Sequence, residues 1–317
     1  MTKILITGAY GFIGNNISKK LVSQGVFVHG AVRFLKPFLH AKNIKYLPVG
    51  NINSTTNWKK LLSGCDCIIH CAAKVHEINE NSKLEHYQAV NVDGTQQLAL
   101  QAAEAKVRRL IFLSSIKVNG EHTIKGLPFS STDIVAPKDP YSFSKYFAEK
   151  KLWEIHAKTS LQVVVVRLPL VYGYGVKGNL KSLMQLVNFG IPLPFSLINN
   201  RRSLIGIDNL IDLLISCIDH PKANGKTFLV SDDEDLSTPD LINYIASAMG
   251  RSARLFPFPN SLLKFLGFCL GRSNEINRLI GSLQLDIDLT KKTLNWSPRT
   301  SVQEGIRRMV QENDTFF

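Results

Sequence analysis

Cysteine is scarce, with five residues in a chain of 317. So low and odd a count excludes a disulfide scaffold and fits a reducing compartment. Three of the five, Cys65, Cys67 and Cys71, stand close together, but Cys-x-Cys-x3-Cys is not a usual zinc spacing. The stretch DCIIHCAA reads as a buried strand, where thiols behave as small hydrophobes. Long apolar runs are missing too. Arg167 breaks LQVVVVRLPLV and Lys264 breaks LLKFLGFCLG, so no segment approaches the ~20 residues of a membrane span. The opening MTKILITGAYG runs straight into a strand and a glycine turn, without the layout of a signal peptide. A cytoplasmic protein is expected.

Acidic residues are in the minority, 25 against 38 Lys and Arg, which leaves a formal charge of +13. Nucleic acid, a membrane surface or a phosphorylated small molecule would each suit such an excess. Against nucleic acid, there is no block of Lys and Arg, no zinc-finger spacing and no interleaving of aromatic and basic residues. The pairs Arg108-Arg109, Arg201-Arg202 and Arg307-Arg308 are scattered. Leu255–Gly271, with Arg251, Arg254, Lys264 and Arg272 nearby, is expected to be a lid over a substrate or a subunit surface. Peripheral contact with an anionic membrane is its second reading. His70 falls in a strand and is expected in the core, while His76, His86 and His122 form no metal-ligand spacing.

The first half alternates short β-branched runs with helical stretches. Lys3–Thr7, Val26–Val32, Lys45–Val49, Cys67–Cys71, Arg109–Ser114 and Gln162–Leu168 read as buried strands. Amphipathic segments such as Asn15–Gln24, Val90–Ala105 and Tyr141–His156 lie between them. This alternation predicts an α/β fold with a doubly wound parallel sheet. Beyond about residue 170, helical pieces (Leu180–Phe189, Asn209–His220, Pro239–Met249, Ser261–Leu270, Val302–Gln311) alternate with Pro- and Gly-containing loops. The expected division is residues 1–171 for a dinucleotide-binding domain and 172–317 for a smaller α/β substrate-binding domain, with an interleaved boundary.

Gly8-Ala9-Tyr10-Gly11-Phe12-Ile13-Gly14 follows the first strand and opens the first helix. Glycines there permit a tight turn and close backbone approach, and the free N–H groups of a helix end face a pyrophosphate. The second strand ends in Gly30-Ala31-Val32-Arg33. An acid at that point would bind a ribose 2′-hydroxyl and favour NAD. An arginine suits a 2′-phosphate, so NADP(H) is favoured, with NAD(H) the alternative if Arg33 only stacks on adenine.

Pro140-Tyr141-Ser142-Phe143-Ser144-Lys145 begins a helix, with Asp139 as its expected N-cap. A spacing of four places Tyr141 and Lys145 on one face. A lysine charge beside a phenol is expected to favour the phenolate, and such a tyrosine can exchange a proton with a carbinol oxygen while hydride moves to or from a nicotinamide. Leu113-Ser114-Ser115-Ile116-Lys117-Val118-Asn119-Gly120 leaves the fifth strand at the end where open α/β sheets build their sites. A serine hydroxyl there would hold the oxygen that Tyr141 serves.

Together with His70-Cys71-Ala72-Ala73, Asn91-Val92-Asp93-Gly94-Thr95, Arg167–Gly175 and Arg202–Leu210, these residues resemble the extended short-chain dehydrogenase/reductase family over essentially the whole chain. Within it they resemble the nucleotide-sugar 4-epimerases and 4-keto reductases, which implies a Rossmann-like fold. The resemblance implies Tyr141 as acid/base, Lys145 as the residue that orients the nicotinamide ribose and tunes Tyr141, and Ser115 as the group that positions the C4 oxygen. Ser115 rather than Ser114 is implied because the family's serine stands five residues before the glycine that here is Gly120. Gly8, Gly11, Phe12, Ile13, Gly14 and Arg33 would meet the cofactor. Ala72, Ala73 and Lys74 would line it, and Asn91 would support the site.

For the substrate, the resemblance implies Asn179 at the sugar or pyrophosphate, Phe195 in a wall under a uracil, Arg202 on the diphosphate and Arg278 as a second clamp. A guanidinium fork suits phosphate oxygens. Relatives often pair through a four-helix interface, so a homodimer is implied. Three residues depart from the pattern. Asn119 replaces a tyrosine that would touch the sugar, Leu170 replaces an asparagine, and the acid after the second strand is missing.

The Val32-Arg33 ending favours a reductase, which exchanges NADPH at each turnover. The expected reaction is reduction of a UDP-4-keto-6-deoxy-N-acetylhexosamine to UDP-N-acetylquinovosamine or its 4-epimer, in polysaccharide precursor synthesis. The alternative is a UDP-glucose or UDP-N-acetylglucosamine 4-epimerase with tightly held NAD. A non-catalytic, cofactor-binding regulator is the third reading, and the intact Ser115, Tyr141 and Lys145 set argues against it.

Overall fold

The structure, a computed structural model, describes residues 2–36, 43–75 and 84–313, apart from the side chains of Leu84, His86, Glu312 and Asn313. His76 and the His86 side chain therefore lie outside the described residues.

The first half of the chain runs β1 (Lys3–Thr7), α1 (Phe12–Ser23), β2 (Phe27–Val32), β3 (Ile44–Pro48), α2 (Lys59–Leu62) and β4 (Cys67–His70). It continues through α3 (Leu84–Tyr87), a π-helical stretch at Gln88–Asp93, α4 (Gly94–Glu104), β5 (Arg109–Ser115), α5 (Pro140–Lys158) and β6 (Gln162–Leu168). After it come β7 (Leu170–Tyr172), α6 (Asn179–Asn188), β8 (Arg202–Gly206), α7 (Ile207–Asp219), β9 (Lys226–Leu229) and β10 (Asp235–Leu236). The chain closes with α8 (Thr238–Ala248), α9 (Asn260–Cys269), α10 (Ser273–Ile280), α11 (Asp288–Leu294) and α12 (Val302–Asn313).

Seven strands form one sheet in the order β3-β2-β1-β4-β5-β6-β9, every pair parallel. A parallel sheet needs cover on both faces, and successive residues of a strand point to opposite sides. On β5, Ile111 and Leu113 join α1 and α7 in one core, while Leu110 and Phe112 join α4 and α5 in the other. Strand order reverses between β1 and β4, which opens a crevice at their C-terminal ends, where such sheets bind ligands. The glycine loop, the loop after β4 and the serine segment after β5 all border it.

A second, three-stranded sheet has the order β10-β8-β7, with β8 parallel to β7 and antiparallel to β10. Its own core includes Tyr172, Leu204, Ile242 and Ile306. Strand β9 comes from the second half of the chain yet completes the large sheet, where Phe228 pairs with Val166. No helix among the described residues is long and apolar enough to cross a membrane.

Candidate active site

The glycine loop folds tightly. Gly8 has φ +66°, where a side chain is strained, and its carbonyl accepts the Gly11 N–H at 2.8 Å. A Cβ on Gly14 would stand 2.2 Å from the Gly8 carbonyl oxygen, so no side chain fits there. Gly11 caps α1 without a side-chain hydrogen bond, which leaves the N–H groups of the first turn free for an anion. Phe12 and Ile13 are half-buried in that turn, and Phe12 packs on the cores of both sheets. This cradle fits the diphosphate of a dinucleotide. Arg33 is exposed just past the end of β2.

The loop after β4 is held by buried polar groups. His70 is bonded to Thr7 Oγ1 at 2.6 Å and to Thr95 Oγ1 at 2.9 Å, while Thr7 Oγ1 accepts the Ala72 N–H at 3.0 Å. Burial, then the charge of Lys145, lowers the His70 pKa to about 3, so it is a neutral core residue. Asn91 lies in the π-helical stretch and is nearly inaccessible. Its Oδ1 accepts the Lys74 N–H at 2.8 Å, and its Nδ2 donates to the Lys74 carbonyl at 3.0 Å and to Ser144 Oγ at 2.9 Å. Asn91 thus pins the Ala72–Lys74 segment to α5, beside Tyr141 and Lys145.

Helix α5 starts where Asp139 and Pro140 place it. The Asp139 carboxylate accepts the Ser142 N–H at 2.6 Å, and Ser142 Oγ accepts the Asp139 N–H at 3.0 Å, a reciprocal cap behind a proline at the first helical position. Asp139 also pairs with Lys117, which joins the start of α5 to the serine segment. Ser115 is the last residue of β5, and its hydroxyl is hydrogen-bonded to the Tyr141 phenol. The serine and tyrosine expected to act together therefore meet.

Lys145 behaves differently from expectation. Its Nζ donates to the Leu113 carbonyl at 2.8 Å and sits 4.4 Å from the centroid of the Phe112 ring. Burial lowers its pKa to about 8, against the opposing pull of Glu149 and Cys71. The Tyr141 pKa is raised, not lowered, first by burial and next by the Asp139 charge, with only the Ser115 hydrogen bond acting the other way. The ammonium is spent on a backbone carbonyl, so the spacing of four puts Lys145 on the right face without putting its charge on the phenol.

Sequence reasoning missed the support beneath these groups. Glu149, one turn beyond Lys145, accepts hydrogen bonds from Ser114 Oγ, from Arg167 Nε at 3.1 Å and from Arg167 Nη2 at 2.6 Å. Arg167 Nη1 donates to Asn119 Oδ1 at 2.9 Å, and Asn119 Nδ2 donates to the Ser130 carbonyl at 2.8 Å. Asn119 is buried in this network, so the residue at that position does not face a sugar. Its departure from the tyrosine of relatives is a change of internal wiring. The 3.6 periodicity running Tyr141, Lys145, Glu149 was the available signal.

The expected substrate residues lie on the smaller sheet and its helices. Asn179 is exposed at the start of α6, after Gly178 with φ +69°. Phe195 is half-buried against the small core. Arg202, on β8, donates from Nη1 to the Arg278 carbonyl at 2.8 Å and the Gly281 carbonyl at 2.9 Å, at the end of α10. Burial, then repulsion from Arg278, lowers its pKa to about 10. Among the described residues no ion pair joins either arginine to a carboxylate, so two guanidinium charges that repel each other would be stabilised by an anion. Asn200, another residue missed in the sequence, donates to the Leu279 carbonyl at 3.0 Å and the Gly281 carbonyl at 3.1 Å, fixing the same turn.

Known proteins carry the same pattern. The NAD dependent epimerase/dehydratase family matches residues 4–231. The chain is 44% identical, over 97% of its length and 94% of the relative's, to a UDP-glucose 4-epimerase of Vibrio cholerae. Among solved structures, it has a TM-score of 0.80 with UDP-glucuronic acid 4-epimerase from Bacillus cereus in complex with NAD, at 21% identity over 99% of both chains. It has the same TM-score of 0.80 with UDP-glucose 4-epimerase from Thermotoga maritima with UDP-glucose, at 20% identity over 99% of both chains. At such identities the structural likeness speaks for the fold, and the extent and level of the sequence matches settle the rest: this chain is an enzyme of the NAD dependent epimerase/dehydratase family.

Proposed function

We propose that this chain is a UDP-sugar 4-epimerase that works with NAD, with UDP-glucose the first substrate to test. The observation that carries the reading is 44% identity across 97% of the chain to the UDP-glucose 4-epimerase of Vibrio cholerae. Solved relatives of the same fold that hold NAD with UDP-glucose or UDP-glucuronic acid support it. It displaces the NADPH-dependent reductase expected from Arg33.

NAD, when bound, supplies the acceptor and donor of hydride at C4. Tyr141 acts as the phenolate, the form that positive charge in the cofactor-loaded site would stabilise; it takes the proton of the C4 hydroxyl and returns it, with Ser115 beside it holding the same oxygen. Lys145 meets the ribose and brings charge to the site, and the Gly8–Gly14 cradle with Ala72, Ala73, Lys74 and Asn91 seats the dinucleotide. Arg33 stacks on the adenine. Residues 1–171 serve the cofactor and the reaction. Residues 172–317 serve the substrate, through Asn179, Phe195 and the paired charges of Arg202 and Arg278 on its diphosphate. Two copies pair through α4 and α5, where Leu100, Phe143 and Phe147 are exposed.

The test is direct. Purified protein, given UDP-glucose and no cofactor, should produce UDP-galactose, and native mass spectrometry should find NAD retained. A protein that exchanges NADPH freely and leaves UDP-glucose unchanged would favour the second reading, reduction of a UDP-4-keto-6-deoxy-N-acetylhexosamine, whose support is Arg33 and the missing acid.

A further inference from the structure

Helix α9 is apolar on both sides. Only Leu263 and Gly267 are buried, and Gly267 meets α10 so closely that a Cβ on it would stand 2.7 Å from Ile276 Cγ1. On the other side Phe265 is 60% exposed and Phe268 76%, with Leu262 and Leu266 beside them and Leu270, 72% exposed, at the helix end. A helix that is hydrophobic all round normally has cover all round, and a contiguous exposed patch of this kind marks a contact surface. Most of the bulky side chains of this segment turn away from the protein.

Further apolar side chains are exposed at the end of α6, which is tied to the segment leading into α9. The Leu193 N–H donates to the Arg254 carbonyl at 2.8 Å and the Phe256 N–H to the Leu193 carbonyl at 3.0 Å, which ties residues 188–196 to 251–256. Phe189, 72% exposed, and Ile191 lie in the first of these segments. Within these two segments charge has one sign, while Glu275 on the neighbouring α10 is acidic. From Arg251 to Arg272 the sequence holds four basic residues and no acid, and the stretch from Tyr172 to Arg202 holds four basic residues and no acid. Arg251 and Arg254 each spend an N–H on a carbonyl at the end of α6, and both side chains remain at the surface. Among the described residues no ion pair neutralises Arg251, Arg254, Lys264 or Arg272.

We infer that the outer face of α9, with the end of α6, docks on an anionic lipid surface. Exposed Phe and Leu side chains would enter the boundary between headgroups and acyl chains, while the four bases meet lipid phosphates. A second copy of this chain would meet the like charge of this face, and the apolar stripe of α4 and α5 already offers a place for that copy.

The test is flotation of the full-length protein with vesicles. Binding is expected to phosphatidylglycerol vesicles, to fall with added salt, and to be absent from phosphatidylcholine vesicles. Phe265→Glu with Phe268→Glu, and separately Lys264→Glu with Arg272→Glu, should each reduce binding at least tenfold. The thermal midpoint should be unchanged, because all four side chains are exposed. No flotation of the native protein, or flotation that neither variant reduces, would overturn the inference. So would sedimentation showing an oligomer that dissociates in Phe265→Glu with Phe268→Glu, which would assign the face to a second copy.

Discussion

Two parts of this molecule are built on opposite terms. Around β5 and α5, each buried polar side chain of the network has its partner. Ser114, Glu149, Arg167 and Asn119 form one chain of hydrogen bonds under the serine segment, and Asn91 ties in the loop after β4. Around α6, α9 and α10, the buried Arg202 has backbone carbonyls as its partners and no carboxylate, and aromatic side chains point to solvent. Buried, satisfied networks rigidify the groups they hold. Charge without a counter-charge and apolar surface without cover are stabilised by what arrives from outside. The proposed reacting centre finds its polar partners within the chain, whereas the second region would be completed by what binds it.

The largest effect that tests this contrast is chemical. Tyr141→Phe keeps the ring, its packing and the cradle but removes the proton carrier. Turnover should fall about 10²–10⁴-fold, while native mass spectrometry finds the same retained cofactor. If cofactor is lost along with activity, the two regions are not separable as described. Next in size is Glu149→Gln, which leaves Arg167 buried beside a neutral amide. Removing one partner of a buried ion pair costs about 3–5 kcal/mol, to be read from urea unfolding. Replacing both partners, as Glu149→Leu with Arg167→Met, should recover a large part of that loss. If it does not, the ion pair itself, and not the relief of an unpaired charge, stabilises the serine segment.

A smaller effect depends on pH. The Lys145 pKa falls from 10.5 to about 8 because burial disfavours its charged form. Between those values the unfolded chain binds a proton that the folded chain does not, so stability should rise with pH through that window. Below about pH 8 the cost of the buried charge is fully present. Unfolding measured at neutral pH and again above the folded pKa should show this rise, and Lys145→Met should abolish this component. A native protein whose stability is flat across the window would place Lys145 in contact with more negative charge than Glu149 supplies.

The two regions also differ in how far the sequence revealed them. Lys3–Thr7 and Gln162–Leu168 are strands with the boundaries read from their β-branched runs, and the other four expected strands shift by a single residue at one or both ends. Fully buried parallel strands leave a strong local pattern, and Asp139 and Pro140 mark the start of α5 just as locally. The small sheet was not legible. Leu170–Tyr172 and Asp235–Leu236 are too short to show a period, and Lys226–Leu229 joins the large sheet only through a partner some sixty residues earlier. At the site, Tyr141 and Ser115 could be named because their motif is local. The raised pKa of Tyr141 could not, because the burial that chiefly raises it is set by packing from other elements, and the Lys145 charge is held by the Leu113 carbonyl. The inward turn of Asn119 was hidden likewise, since Arg167 and Ser130 decide it.

The smallest predicted effect is a comparison within one helix. On α9, Leu263 is buried and Phe265, two residues on, is 60% exposed. Leu263→Ala removes packing and leaves a cavity, a loss of about 2–5 kcal/mol. Phe265→Ser removes a larger side chain that the fold does not use, and should change stability by less than about 0.5 kcal/mol. Size alone would rank these substitutions the other way. Equal and large losses in urea unfolding of the dilute, lipid-free protein would mean that the outer face of α9 already has cover within the chain. The cap would then be as complete as the reacting centre, and the contrast between the two regions would fail at its most exposed point.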